Sequence, residues 1–553
     1  MIVGLDMGGT HIDGVIIENG TIINTVKKPR ADGDIFGSIW GALEGLLLDQ
    51  DTTKIERINL STTVSTNAIV EDKTTPVGMV IQTGPGLSGD FLACGSENVF
   101  ISGCIDHRGK VVERLDSKEI DRAKELFIRE GLSACAVVTK FSTRNFEHEV
   151  QIKRLLGDGF DHITMGHTLS GMLNFPRRVF SAYLNAAIHN TFNRFSHSIK
   201  KAMIEREINA PLFILKADGG TTVLAEAENR PIETILSGPA ASFMGLNALL
   251  KTQEDALLLD IGGTTTDIFF LADGVPLFEP MGIEINSYKT LTRAIYSVSM
   301  GLGGDSSVRV ENREIMIGPR REGLPYALGG PCPTPTDAMI ALGLVEFGDR
   351  KKATAAMKSL GQILGLSVEE TARDILDIMA DMIKSKVDEL LDKINDKPVY
   401  TVHELLHGRK LRPRLINLIG GPSKYLSPVI EKAFGLPCHY PKDYAIANAI
   451  GAAMAKMTQD ITLVADTERR LLTVGEFGVR ERIGRGFTLK DARKRAIGLL
   501  EDRAVAQGAN KGEIETEIIE ENSFNMVDGF YTVGKNIRVK AQIKPGLAGD
   551  LKL

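Results

Sequence analysis

The sequence predicts an α/β protein of two or more domains built around an internal duplication, and three observations carry that expectation. A chain of 553 residues is longer than one hydrophobic core usually organises. Short β-prone apolar runs alternate along it with segments of helical periodicity. One pattern, Asp-x-Gly-Gly-Thr-x-x-Asp, occurs twice, as "DMGGTHID" from Asp6 and as "DIGGTTTD" from Asp260.

Each copy sits in the same local context. In the first, "IVGLD" is a strand, "MGGTH" a turn and "IDGVIIE" a second strand; Asn19-Gly20 is then a type I′ hairpin signal leading into "TIINTV". The second copy repeats every step with "ALLLD", "IGGTT", "TDIFFLA", Asp273-Gly274 and "VPLFEP". Between the copies, "CAVVTKF" and "HITMGHTL" read as strands. Phe175 to Glu205 reads as a long helix, with Phe180, Leu184, Ala187, Ile188, Phe192, Phe195 and Ile199 at three- and four-residue spacing. After the second copy, Ser367 and Glu370 form a capping-box pattern. The helix it opens carries Ile375, Met379, Ile383, Val387 and Leu390 on one face. "LINLIGG" is an apolar strand ending in Gly420-Gly421, followed by a helix from about Tyr425. From Asp460 the chain becomes more charged, and "FTLKDARKRAIGLLEDRAVAQGA" is a helix between short strands.

Composition narrows the function classes. Hydrophobic residues make up 43% and charged residues 25%, which is ordinary for a folded chain. Sixty-five basic against 71 acidic residues leave a net charge of −6 with no Lys/Arg block, which argues against nucleic acid or membrane as partner. No apolar stretch approaches the roughly 20 residues of a membrane span, and "MIVGLD" begins as a strand without a charged leader, so a cytoplasmic protein is expected. Cys94, Cys104, Cys135, Cys332 and Cys438 are scattered and never in a C-x-x-C pair, which disfavours both disulfides and a thiolate zinc site.

The glycine turns suit phosphate. Gly8-Gly9 and Gly262-Gly263 let the backbone approach a ligand with no Cβ in the way, and a tight turn can aim successive N–H groups into an anion-binding nest. Thr10 and Thr264 add hydroxyl donors, with Thr265 beside the second. Asp6 and Asp260, at strand ends, place carboxylates where a phosphate-bound Mg²⁺ would sit. Neither turn is a Walker A loop, since each leads into a strand and no Gly-Lys-Ser/Thr ending follows. Two copies, each with a second aspartate three residues after the threonine (Asp13 and Asp267), point to a split phosphate site whose hairpins face one cleft.

This arrangement, with "LINLIGGPS" after it, resembles the actin, sugar kinase and heat-shock 70 ATPase superfamily. The resemblance implies duplicated actin-like (ribonuclease H-like) domains that bind ATP, with Gly420, Gly421 and Ser423 lining the nucleoside. Further motifs follow in order: "STTVSTNAIVEDK" from Ser61, "GCIDHRGKVVERLD" from Gly103, "NFEHE" from Asn145, "SGPAAS" from Ser237, "GLGGDSS" from Gly301 and "PTPTDAMIALG" from Pro333. Together they resemble the hydantoinase A/5-oxoprolinase family from Met1 to about Met454. His11, Thr265 and Asp305 depart from the family pattern, Asp305 standing where glycine or a small residue is usual.

What the resemblance implies is a hydrolase that transfers the γ-phosphoryl group of ATP to the carbonyl of a cyclic amide, such as a hydantoin or 5-oxoproline, and so opens the ring. It would act alone or as the ATPase partner of a hydantoinase B-type subunit, and a homo-oligomer is compatible with it. ATP-dependent ketone carboxylation and a nucleotide-switched reactivating chaperone are the alternatives. The expected parts are a first hairpin part (1–75), an inserted substrate portion (76–230), a second ATPase half (231–458) and a C-terminal α/β unit (459–553). Asp6, Asp13, Asp260 and Asp267 are the expected catalytic set, with Asp6 and Asp260 on Mg²⁺. Gly8, Gly9, Thr10, Gly262, Gly263, Thr264, Thr265, Gly303, Gly304, Gly420, Gly421 and Ser423 are the expected nucleotide set.

A second divalent metal on Asp106, His107, His148 and His167 is a further expectation, since imidazoles with a carboxylate suit such an ion. "HELLH" at His403 to His407 matches a zincin pattern, but Gly408 and Pro413 would interrupt its helix, which disfavours a protease. "ADGGTT" from Ala217 lacks the spacer of the two phosphate turns and is expected to line the substrate cleft.

Overall fold

The computed structural model describes residues 1–8, 11–29, 35–279, 281–396 and 410–552. By its internal contacts the chain divides into two compact units. The first holds Met1–Ala240, Glu279–Ala294 and Ala452–Asp550; the second holds Ala241–Phe278, Ile295–Gly451 and Leu551–Leu553.

In the first unit the strand Ile2–Met7 is buried along nearly its whole length, because it is central. On one side it pairs antiparallel with His11–Glu18, which pairs with Thr21–Pro29. On the other it runs parallel to Arg57–Thr62, itself parallel to Leu212–Leu215, with Thr221–Val223 closing the sheet. Ile39, Leu43 and Leu46 of the helix Ile35–Leu47 pack on Val3, Leu5, Ile12 and Ile16. The expected long helix is Phe175–Glu205, opened by the Asn174 side chain accepting from Arg177 N and by a proline in its first turn. Phe192, Phe195 and Ile199 reach the same core. A separate, fully parallel sheet of four strands has the order His162–Met165, Ala134–Thr139, Val77–Gln82, Glu97–Phe100. The C-terminal segment folds as a five-stranded antiparallel sheet against the helix Leu489–Ala506, whose Thr488 and Asp491 form a capping box.

The second unit repeats the hairpin plan. Ala256–Ile261 pairs antiparallel with Thr266–Ala272 and runs parallel to Leu415–Ile419, which is parallel to Cys438–His439. The turns that follow the two hairpins match as well: Asn19 and Gly20 have φ of 49° and 79°, Asp273 and Gly274 of 50° and 77°, the left-handed pair a type I′ turn requires. The expected "VPLFEP" strand shrinks to Val275–Pro276, with one further bond from Leu277 N to Phe270 O at 3.3 Å. Ser367 and Glu370 do form a capping box, and Ile375, Met379, Ile383, Val387 and Leu390 of the helix Val368–Asn395 join Leu257, Ile268, Phe270 and Ile416 in the core. The helix after "LINLIGG" is Ser423–Phe434, two residues longer at its start than its apolar pattern indicates.

Among the described residues no helix is long and apolar enough to cross a membrane. All five cysteines are free, and burial pushes the Cys94 and Cys135 thiols up to about 12.

Candidate functional site

Both glycine hairpins carry their two aspartates as direct cross-strand partners. Asp6 faces Asp13 in the first, and Asp260 faces Asp267 in the second. The three-residue offset after the threonine thus has a geometric meaning: it sets two carboxylates side by side at the mouth of each turn.

In the first hairpin Asp6 is buried at the end of its strand, level with Ser61 of the neighbouring parallel strand. Lys27, from the third strand, donates to Asp13 Oδ2 at 2.8 Å, while Asp13 Oδ1 is buried with no hydrogen-bond partner. Burial raises the Asp13 pKa above its ordinary value despite that lysine. A Cβ on Gly8 would lie 3.3 Å from His11 O, so the chain doubles back tightly here. Gly9 and Thr10 lie outside the described residues.

In the second hairpin Gly262 N donates to Thr265 O at 2.9 Å, closing the turn. Thr264 is exposed and Thr265 half-buried. Asp260 Oδ2 accepts from Ser242 Oγ at 2.6 Å, so the final serine of "SGPAAS" orients a carboxylate, a role its sequence alone does not reveal. The "GLGG" segment lies against the turn: Gly304 N donates to Gly262 O at 2.9 Å and Asp305 N to Gly263 O at 2.7 Å, with Gly303 and Gly304 buried. Gly420 packs beside Asp260, while Gly421 has open space around its Cβ position. Ser423 is fully buried at the start of its helix, its Oγ without a hydrogen-bond partner.

Asp267 is pushed up to about 7, first by burial and then by the neighbouring Asp260 carboxylate; the hydrogen bond with Ser299 works in the opposite direction. Since this lies above the ordinary value of 3.8, the folded chain retains a proton that the unfolded chain loses, and stability falls as pH rises from 3.8 to about 7. Asp267→Asn is therefore expected to raise the thermal midpoint at pH 8, with the gain shrinking as the pH is lowered toward about 5, a trend that melts across this range would record.

The expected second metal set is not assembled. Asp106 caps its own turn, accepting from Arg108 N at 2.9 Å and Lys110 N at 2.8 Å, and His107 is exposed. His148 Nδ1 lies 2.9 Å from Gln82 Oε1, and burial lowers its pKa. His167 is fixed by Glu149, whose Oε2 lies 2.5 Å from Nδ1, and it stacks on Phe146. Burial would raise the Glu149 pKa, yet the His167 ring and the amides of His167 and Thr139 hold it below the usual range. These side chains tie the chain together locally, and among the described residues no three His, Cys, Asp or Glu groups are arranged to hold a metal ion. Asp218 of "ADGGTT" is likewise turned inward, taking Gly220 N at 3.0 Å and pairing with buried Lys216 at 3.3 Å. "HELLH" lies outside the described residues.

Comparison with known proteins agrees with this plan. The family model described as hydantoinase/oxoprolinase N-terminal region matches residues 2–158, and that described as hydantoinase/oxoprolinase matches residues 178–461. The chain is similar to the acetophenone carboxylase gamma subunit of Aromatoleum aromaticum, 24% identical over 452 residues that cover 70% of this chain and 61% of that subunit. It therefore spans about three fifths of that relative's length. Among solved structures it resembles nucleotide-free acetone carboxylase, with a TM-score of 0.72 at 15% identity over 100% of this chain and 88% of that one. It also resembles the ATP-dependent caprolactamase of Pseudomonas jessenii, with a TM-score of 0.69 at 18% identity over 98% and 87%. The chain thus belongs to the hydantoinase/oxoprolinase family and has its duplicated, actin-like α/β fold.

Proposed function

We propose that this chain binds Mg·ATP through its two glycine hairpins and uses the γ-phosphoryl group to open the ring of a cyclic amide. The observation that carries the reading is the repeated hairpin itself, with a cross-strand pair of aspartates at each turn. Family membership and the likeness to a caprolactamase support the amide substrate. A cyclic amide resists water because its nitrogen lone pair is shared with the carbonyl. Transfer of the phosphoryl group to the carbonyl oxygen gives ADP and an activated carbon; one water adds there and the ring C–N bond breaks, the nitrogen taking up a proton and the carbon remaining as an acyl phosphate, which a second water hydrolyses to the carboxylate and free phosphate.

Asp6 and Asp260 would hold Mg²⁺, which supplies charge neutralisation along the phosphates. The donors fit that ion: hard carboxylates at strand ends, with Asp260 close enough to Asp267 to raise its pKa, so that a cation would relieve their repulsion. Asp13 and Asp267 would orient the attacking oxygen or accept its proton. In this reading residues 76–230, which include the separate parallel sheet, carry the substrate portion, and a hydantoinase B-type subunit is the partner. Likeness to the acetophenone carboxylase gamma subunit favours one second reading, a component of an ATP-dependent ketone carboxylase.

Phosphate release by the full chain with Mg·ATP, measured with and without 5-oxoproline, hydantoins and caprolactam, tests the proposal. Stimulation by one ring, matched by equal ring opening, supports it. Stimulation only by a ketone with bicarbonate would replace it with the carboxylase reading.

A further inference from the structure

Arg321 and Asp305 form an ion pair laid against the second glycine hairpin. Arg321 Nη2 lies 3.0 Å from Asp305 Oδ2, Nη1 donates to Thr264 Oγ1 at 3.3 Å, and Nε donates to Gly323 O at 3.1 Å. Asp305 is fastened from two sides: its N–H donates to Gly263 O at 2.7 Å, and its Oδ1 lies 3.0 Å from the Thr336 hydroxyl. The carboxylate is so close to the turn that a Cβ on Gly263 would fall 2.7 Å from Oδ2. The side chains are 25% and 16% exposed, so the guanidinium is still reachable from solvent.

The pattern of the hairpin makes this arrangement meaningful. The turn itself contributes backbone and hydroxyl groups but no lysine, so nothing within it offers a full positive charge to a phosphate. The guanidinium supplies that charge from a residue far along the chain, and its planar fork suits phosphate oxygens. The carboxylate beside it does the opposite, since an anion entering the turn meets Asp305 at the same glycine.

We infer that Arg321 is a nucleotide-phosphate ligand of the second hairpin, held in place by Asp305 while the site is empty and released to the phosphate when ATP binds. The inference rests on the phosphate-binding reading of the hairpins. It assigns the two partners of one ion pair opposite effects: Arg321 contributes to ATP affinity, and Asp305 competes with ATP for the same guanidinium. A pair that merely fastened the two loops would give both partners the same effect.

Titration of Mg·ATP into the full chain and its variants, with melting curves alongside, tests this. Arg321→Ala is expected to weaken ATP binding about tenfold or more, the loss of a charge-assisted bond to phosphate. Arg321→Lys, which keeps the charge but loses the fork, should recover part of that loss. Asp305→Asn is expected to tighten binding about threefold, by removing the competing charge. Weakening of ATP binding by Arg321→Ala and Asp305→Asn alike, or an Arg321→Ala affinity equal to wild type, would overturn the inference. In those cases wild type still binds ATP and Asp260→Ala does not, which leaves the hairpin reading standing; a wild-type chain that binds no ATP would overturn both.

Discussion

Asp260→Ala is expected to lower Mg²⁺-dependent phosphate release at least ~100-fold, the scale of losing one preorganised charged group at a reacting centre. The residue is the last but one of the strand Ala256–Ile261, accepts a hydrogen bond from Ser242 Oγ at 2.6 Å and faces Asp267 across the hairpin. In the proposed reading its removal takes away a carboxylate that holds Mg²⁺, without deleting an apolar core side chain. It also withdraws the like charge that helps hold Asp267 at about 7, which offsets near neutral pH part of what the fold loses with the Ser242 hydrogen bond. Asp6→Ala should match it, because Asp6 occupies the same register position opposite Asp13. Initial rates with melting curves check both. Activity within tenfold of wild type in either variant would remove that aspartate from the metal-binding role.

Gly420→Ala is the second large effect, and here the fold itself is expected to suffer. Gly420 has φ of +96°, a conformation that L side chains rarely adopt, and an added Cβ would meet Ile261 O at 2.2 Å and Asp260 Oδ1 at 2.7 Å. Neither atom belongs to the flexible end of a long side chain: one is strand backbone, the other a short carboxylate already bonded to Ser242. Overpacking of this kind costs about 1–3 kcal/mol and the positive φ about another 1–2 kcal/mol. A clear fall in the urea midpoint is therefore expected, together with loss of phosphate release. Gly421→Ala is the internal control for the urea midpoint alone, because nothing lies within 4 Å of its Cβ position and its φ is not positive.

Much of the scaffold is legible in the sequence, and the reason is that its signals are local. Asn19-Gly20 and Asp273-Gly274 specify type I′ turns by backbone preference alone. Asn174 and Ser367 start their helices through hydrogen bonds within one turn. The duplicated Asp-to-Asp spacing fixes cross-strand partners once the hairpin register is set. What surrounds the second hairpin was not legible in this way. Ser242, Asp305, Arg321 and Thr336 reach it through tertiary packing, and no periodicity links them.

The histidines show the converse. His148 and His167 stand near one another in sequence as apparent ligands, yet Gln82 and Glu149 each engage one ring nitrogen, Nδ1, and hold the two rings on different partners. A buried imidazole needs a partner, and an ordinary hydrogen bond meets that need as readily as a metal. Composition and spacing do not distinguish the two; only the identity of the neighbour does.

In the proposed reading each glycine hairpin contributes to nucleotide binding. Calorimetric titration of Mg·ATP into the wild-type chain, Asp6→Ala and Asp260→Ala tests it most directly. The claim predicts one ATP bound per wild-type chain and its loss in either variant, although the aspartates belong to different hairpins. Undiminished, equally tight binding of ATP by either variant would contradict it.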